Sequence, residues 1–385
     1  MKILWIQRNF SIIGGGLTFA IQFIDELLKE HEVAILTADK KVNSYLKEGI
    51  EIIHVPIINF TSILKIFSFA YNAQRIAKSL NYDLILSNEK SIYHDVYFTG
   101  DGCHQEYLNT YIKNSQPGKQ RRIKLNPKHK LILALEKKAV TCNKLQKIIA
   151  FSDNIKNELI KHYQVNEDKI VTIPHGVDCR RLIKIRESLT RWPCRQKLNY
   201  PINRLVLLHV GSGFERKNIQ IILLALSLMK EKDRPFFVIC GKGNQKKLMN
   251  LATILKVQDD IRFEGVQTDI YPYYKASDIF ILNSWYEPFG LVVLEAMLFG
   301  LPVIVSNRCG VSSIVRENKN GYIVKSASEI KRALYNCKDY DTRELMERNN
   351  RERVIVNDIR MQVASTLEVI SELHEKAKEK NENNM

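Results

Sequence analysis

Short runs rich in β-branched residues alternate with longer helical patterns along most of this chain, in two successive series. The runs 2–6, 32–37, 50–55, 84–87, 147–151 and 169–173 are apolar and bounded by polar or turn residues, as strands are. Between them, 17–29 places Leu17, Ala20, Ile21, Ile24, Leu27 and Leu28 at helical spacing, and 155–162 opens behind Ser152 and Asp153 as caps. After Pro201 a second series follows. Its strands are expected at 205–210, 235–240, 261–264, 279–282, 302–305 and 321–324, with helices at about 218–229, 245–255, 270–276, 291–299 and 328–336. Crossover helices between strands force parallel sheets covered on both faces. Two doubly wound α/β domains are therefore expected, and 385 residues suffice for two. Ligands in such folds bind beyond the carboxyl ends of the strands, so a site in a cleft between the domains is expected. The joint is expected near 174–204, where Pro174, Pro193 and Pro201 fall among basic residues. Residues 358–380 read as one amphipathic helix, followed by a polar tail.

Charge narrows the partners. The chain carries 58 Lys and Arg against 42 Asp and Glu, a net charge of +16. The excess sits in two places: 104–147 has eleven cations and two acids, and 180–204 has eight cations and one acid. A balance of this size implies an anionic partner, whether nucleic acid, acidic lipid headgroups or a phosphorylated substrate. The seven cysteines are scattered without a C-x-x-C pair, which points to neither a disulfide framework nor a zinc ribbon and suits a reducing compartment. Only four consecutive apolar residues, 3–6, follow the first lysine, too few for a signal-peptide core. The longest nearly apolar run, 219–229, is too short to span a bilayer. A cytoplasmic protein with at most peripheral membrane contact is expected.

Four strings carry chemistry. Gly14, Gly15 and Gly16 follow the first strand, where glycines let a backbone approach a phosphate or sugar; a plain tight turn explains them equally well. HVGSGFERKN at 209–218 ends a strand, turns on two glycines and sets Arg216 and Lys217 before the next helix, placed to hold a diphosphate. In EPFGLVVLE at 287–295, Gly290 opens a helix whose first amides and dipole favour phosphate. Glu295 lies just over one turn inside, among apolar neighbours, where an acid needs hydrogen-bond donors such as ribose hydroxyls. A solvated glutamate is the plain alternative, and the flanking LVVL and AM-LF argue against it. DVYFTGD at 95–101 places an acid at each end, Asp95 and Asp101, either able to orient a hydroxyl or act as a base. His94 and His104 lie nearby and are read as structural. Asp339-Tyr340-Asp341 has the look of a metal-binding DxD but follows a helix, and is read as surface.

Together, the E-x7-E string from Glu287 to Glu295, IPHGVD at 173–178, GSGFERKN and DVYFTGDGC resemble the retaining glycosyltransferases of family 4. These have the GT-B architecture, two Rossmann-like domains facing across a cleft. Within that family the likeness is to the lipopolysaccharide core glucosyltransferases that glucosylate inner-core heptose, and it covers roughly residues 1–350. It implies an acceptor-binding domain at 1–174, a nucleotide-sugar domain at 175–357, and a segment 358–385 whose helix returns to the first domain. Carried over by position, it assigns Glu295 to the nucleotide ribose and Glu287 to donor-sugar hydroxyls. Phe289, Gly290 and Leu291 would offer backbone amides. Arg216 and Lys217 would neutralise the diphosphate, Gly15 and Gly16 would approach it, and Asp101 would be the cleft acid acting in transfer. It implies UDP-glucose as donor, a lipid A-core acceptor, no metal, no resident cofactor, and a place on the cytoplasmic face of the inner membrane. Two positions depart: His175 stands where many members have Asn, and Ala20 where the core glucosyltransferases have an acid.

The basic segment 104–147 interleaves its cations with Tyr107, Tyr111, Ile123, Leu125, Leu131, Ile132, Leu133 and Leu135, a pattern suited to an anionic bilayer. A solvated helix pair that packs LILAL inward is the alternative. Another sugar-nucleotide transferase of cell-surface polysaccharide synthesis, or a phosphorylase or epimerase on the same architecture, would use the same cleft. A nucleic-acid-binding protein would explain the charge, but no zinc spacing or RNA motif accompanies it.

Overall fold

In the computed structural model, residues 1–10, 15–47 and 49–382 are described. The chain divides into two units, Met1–His175 with Ile359–Met385, and Gly176–Asp358. The joint is thus sharper than the proline-rich stretch suggested. The chain crosses at His175–Gly176 and Asp358–Ile359, one residue beyond each expected boundary. Residues 179–197 are not a linker. They form the helices Cys179–Ser188 and Arg191–Lys197 inside the second unit, because Leu182 and Cys194 pack into its core.

The first unit holds strands β1 (Lys2–Ile6), β2 (Glu32–Thr37), β3 (Glu51–His54), β4 (Leu84–Ser87), β5 (Val96–Phe98), β6 (Lys147–Ala150) and β7 (Ile170–Thr172). They form one parallel sheet in the order β3-β2-β1-β4-β5-β6-β7. The second unit holds β8 (Val206–Val210), β9 (Phe236–Cys240), β10 (Ile261–Gly265), β11 (Ile279–Leu282), β12 (Val303–Ser306) and β13 (Gly321–Val324). Its parallel sheet runs β10-β9-β8-β11-β12-β13. Both are doubly wound, and each reverses direction beside its first strand, between β1 and β4 and between β8 and β11. Those switch points are where such sheets open a crevice.

Near-continuous apolar strands explain why helices cover both faces: every residue of β4, β11 and β12 is buried. In the first unit Trp5, Phe23 and Phe98 form an aromatic cluster with ring centroids 5.1 to 5.9 Å apart. The helix Gly15–Leu27 buries Phe19, Ala20, Phe23, Ile24 and Leu27 in that core, and Ile359–Glu382 packs against it. The C-terminal helix does return to the first unit. Ala20 is fully buried, so an acid there would lie unsolvated in the core as this chain packs it.

The basic segment is three helices, not two: His104–Lys113, Pro117–Leu125 and Pro127–Val140. Ile123 and Leu135 turn inward, and Leu125 stands 60% exposed. The other basic stretch is used internally. Arg195 and Arg191 bind Asp278, and Arg204 donates to Asp260 at 2.6 Å. Among the described residues no helix is long and apolar enough to cross a membrane.

Candidate active site

The loops after β8 and β11 meet at the second unit's switch point. Leaving β8, the backbone passes Gly211 with φ +151°, where a Cβ would come within 3.0 Å of Lys217 Cε. The turn delivers Arg216 and Lys217 to the sheet's carboxyl edge, and Trp285 N–H donates to the Arg216 carbonyl at 2.9 Å, tying the two loops together. Both cations converge on one acid. Arg216 Nη1 donates to Glu287 Oε2 at 2.9 Å, Lys217 Nζ binds the same oxygen, and Ser284 Oγ donates to it at 3.4 Å. Burial alone would raise the Glu287 carboxyl, but the charges of Lys217 and Arg216 outweigh it and hold the group below its ordinary value. Glu287 is therefore an acceptor, not a proton donor.

Glu287 is fixed by backbone as well. Its N–H donates to the Arg308 carbonyl at 3.1 Å, and its carbonyl accepts from Gly310 N–H at 3.0 Å. Phe289 is buried, with its carbonyl bonded to Val311 N–H at 2.9 Å. Gly290 follows at φ +107°, a conformation that suits glycine, and a Cβ there would crowd Leu282 Cδ2 at 3.1 Å. The helix Leu291–Leu298 starts there, and its first amides have no acceptor within the helix itself. Glu295 sits half-buried in that helix, and Tyr274 Oη donates to its Oε2 at 2.8 Å. Burial raises the Glu295 carboxyl, with Tyr274 and Arg181 opposing. The phenol of Tyr274 is itself pushed well above its ordinary value, by burial and then by Glu295.

In the first unit, Gly15 and Gly16 form the opening turn of a helix instead of preceding one, and Gly14 lies outside the described residues. Asp101 stands exposed after β5, with Lys90 Nζ 3.8 Å from its carboxylate. Lys90 is mostly buried and also lies 3.7 Å from Glu136. Burial on its own would lower the Lys90 ammonium, but Tyr97, Asp101, Glu136 and Glu89 raise it overall, so it stays charged. Glu136 is buried under the start of helix His104–Lys113, accepting from His104 N–H at 2.8 Å, Gln105 N–H at 3.1 Å and Tyr163 Oη at 2.5 Å.

Asp95 is not available for chemistry. It is buried and accepts from Ile85 N–H at 2.8 Å and Gln146 Nε2 at 2.9 Å, pinning β4 to the chain before β6. His94 bonds Ser91 and the Ala139 carbonyl in the core, and burial holds it down to about 4. Asp339 caps the helix Tyr340–Ile355 through Thr342 N–H at 2.8 Å. Sequence reasoning missed Tyr274, Ser284 and Lys90. Lys90 sits in SNEK at the end of β4, and that polar cluster at a strand end was a usable signal. Tyr274 lies in a run of aromatics, YPYYKA, that reads as core.

Two family models match, "Glycosyltransferase Family 4" over residues 13–181 and "Glycosyl transferases group 1" over 190–353, the first running six residues into the second unit. The chain is a glycosyltransferase of the two-domain GT-B type. The transferase is 25% identical over 279 residues to the lipopolysaccharide glucosyltransferase WaaG of Escherichia coli K12, covering 72% of this chain and 73% of that one. It is 28% identical over 334 residues to the alpha-monoglucosyldiacylglycerol synthase of Streptococcus pneumoniae, covering 83% and 74%. Its fold matches the crystal structure of WaaG with a TM-score of 0.78 at 21% identity, over 96% of this transferase and 99% of that chain. It also matches Anabaena HepE solved with UDP-glucose, with a TM-score of 0.72 at 19% identity over 97% and 100%.

Proposed function

We propose that this glycosyltransferase moves glucose from UDP-glucose, with retention, to a lipopolysaccharide core acceptor at an anionic membrane surface on the cytoplasmic side. The observation that carries the donor side is the convergence of Arg216 and Lys217 on Glu287 at the mouth of the β8–β11 switch point. In the transfer, the bond from the sugar C1 to the diphosphate oxygen breaks, a bond from C1 to the acceptor oxygen forms, and the acceptor hydroxyl's proton passes to the departing diphosphate. Negative charge grows on the departing UDP, and positive charge on C1. Arg216 and Lys217 stabilise the first, aided by the amides of Phe289, Gly290 and Leu291 at the helix start. No metal is required by that scheme. Glu287, kept ionised by the two cations, accepts from sugar hydroxyls and helps to fix C1 in place. Glu295 accepts from the ribose, oriented by Tyr274.

The first unit is assigned to the acceptor, with Asp101, 3.8 Å from the Lys90 ammonium, as the acid that attends the incoming hydroxyl. Gly15 and Gly16 are assigned to close backbone approach to the donor. The exposed cations of 104–147 supply the attraction to the membrane. A diacylglycerol-type acceptor is a second reading, supported by the alpha-monoglucosyldiacylglycerol synthase likeness, which spans more of the chain, and by Ala20 in place of the core glucosyltransferases' acid.

A panel of UDP-, GDP- and ADP-sugars tested for hydrolysis and for transfer to truncated lipid A-core or to diacylglycerol decides between them. Turnover with UDP-glucose and the core acceptor is expected. Preference for a GDP- or ADP-sugar would overturn the donor assignment, and transfer to diacylglycerol alone would overturn the acceptor.

A further inference from the structure

Ile58, Phe60, Leu64, Phe67 and Tyr71 all stand exposed on one stretch of the first unit, Phe60 at 87%. Scattered apolar residues on a surface are ordinary, but five large ones within one turn-and-helix segment form a patch. The loop that carries the first two is held in place. Ile58 N–H donates to Ser68 Oγ at 2.9 Å, and Asn72 Nδ2 donates to the Pro56 carbonyl at 2.7 Å, so it lies along the helix Ser62–Ser79. On that helix Leu64, Phe67 and Tyr71 recur at i, i+3 and i+7, one stripe opposite the buried Phe69, Ala73 and Ala77. The Phe67 and Tyr71 rings stack with centroids 6.2 Å apart. Arg75 and Lys78 continue the same stripe in the next turns, both exposed.

Along this stretch of sequence the charge has one sign. From 52 to 82 the sequence has Lys65, Arg75 and Lys78 and not one Asp or Glu. The patch also adjoins the basic helices. Pro127–Val140 packs on Ser62–Ser79, and Lys78 and Lys144 place their ammonium groups over the same Tyr93 ring at 5.3 and 5.6 Å. Aromatic and aliphatic side chains bordered by Lys and Arg, without acids, match the boundary between headgroups and acyl chains of an anionic leaflet.

We propose that residues 58–71 are a membrane-insertion element, placing Phe60, Phe67 and Tyr71 among acyl chains while Lys65, Arg75, Lys78 and the helices of 104–147 meet the headgroups. This rests on the membrane-surface reading above and adds an apolar anchor to it. Electrostatic attraction alone fades as salt screens it, so the anchor predicts a part of the binding that salt does not remove.

Co-sedimentation of the full chain with vesicles of phosphatidylglycerol and phosphatidylcholine, at low and at roughly 1 M salt, reads both parts. Wild type is expected to bind, with a fraction that survives high salt. The triple variant Phe60→Ser, Phe67→Ser, Tyr71→Ser should lose that fraction and bind at least about tenfold less overall. Its affinity for UDP by calorimetry should equal that of wild type. A wild type that fails to bind UDP would overturn the donor assignment and leave the vesicle result standing. Phe60→Trp gives a second reading, since its fluorescence should be quenched by brominated acyl chains. Equal partitioning of the triple variant and wild type, or an unquenched Trp, overturns the proposal. So does a wild-type dimer in sedimentation velocity that the triple variant dissociates without changing vesicle binding.

Discussion

Arg216 grips Glu287 and its neighbour together: one guanidinium nitrogen donates to the Glu287 carboxylate at 2.9 Å and to the Tyr286 carbonyl at 3.0 Å. The side chain therefore locks the loop after β11 as well as supplying charge. Lys217, mostly buried and bound to the same carboxylate oxygen, supplies charge with less structural duty. Arg216→Ala should lower both kcat and the thermal midpoint, whereas Lys217→Ala should lower kcat about a hundredfold with a smaller loss of stability. Steady-state kinetics beside calorimetric melting separates the two. Turnover should persist in EDTA, and loss of activity restored by Mn²⁺ would return attention to Asp339 and Asp341.

The Tyr274–Glu295 hydrogen bond gives a graded pair. Glu295→Ala should weaken UDP binding by about 2 kcal/mol, and Tyr274→Phe by about 1 kcal/mol, because the phenylalanine keeps the packing and removes only the donor. Titration calorimetry with UDP measures both. Unchanged affinity in a folded Glu295→Ala would remove that residue from the nucleotide site.

Gly290→Ala should destabilise the second unit by about 1–2 kcal/mol, since φ +107° disfavours a side chain and the new methyl would press on Leu282. The variant should also lose UDP affinity, because the same bend aims the amides of Leu291–Leu298. A melting curve and a UDP titration on one sample test both effects.

Acid should destabilise this protein through its buried histidines. Burial is the main reason that His94, His175 and His209 are held down to about 4, against an ordinary value of 6.5. The unfolded chain takes up these protons first, so their contribution is complete above 6.5 and falls with pH through the interval down to about 4. Each should cost about 2 kcal/mol of stability near pH 5. His175 stacks on Phe151 at 3.8 Å and is bonded to Gln362, and His175→Asn should flatten the decline. Urea denaturation at about pH 7 and pH 5 measures the change.

The strands of the second unit were legible almost to the residue, because β-branched runs such as FFVIC and VIVS leave little else to be. In the first unit β5 escaped notice. VYF is three residues long, and its flanking Asp95 and Asp101 made it look like a loop. The helix Ser62–Ser79 was missed for the opposite reason: Leu64, Phe67 and Tyr71 put apolar residues on the face that should be polar, which erases the periodic signal. At the candidate site the acids and cations were legible from their spacing. Which of them pair was not, since Arg216 and Glu287 are brought together by neighbouring strands of the sheet and Tyr274 reaches Glu295 from a separate helix.

The path of the chain also sets the order in which the molecule can be finished. Ile359, Val363, Ile370 and Leu373 belong to the core of the first unit, yet a ribosome makes them only after the whole of Gly176–Asp358. The second unit is one unbroken segment and is free to close as it emerges. The first unit, begun earliest, waits longest, with the flank of Gly15–Leu27 uncovered until Ile359–Glu382 arrives. A chain stalled before Ile359 would join a completed half to one with an open apolar seam, a natural substrate for chaperones and proteases.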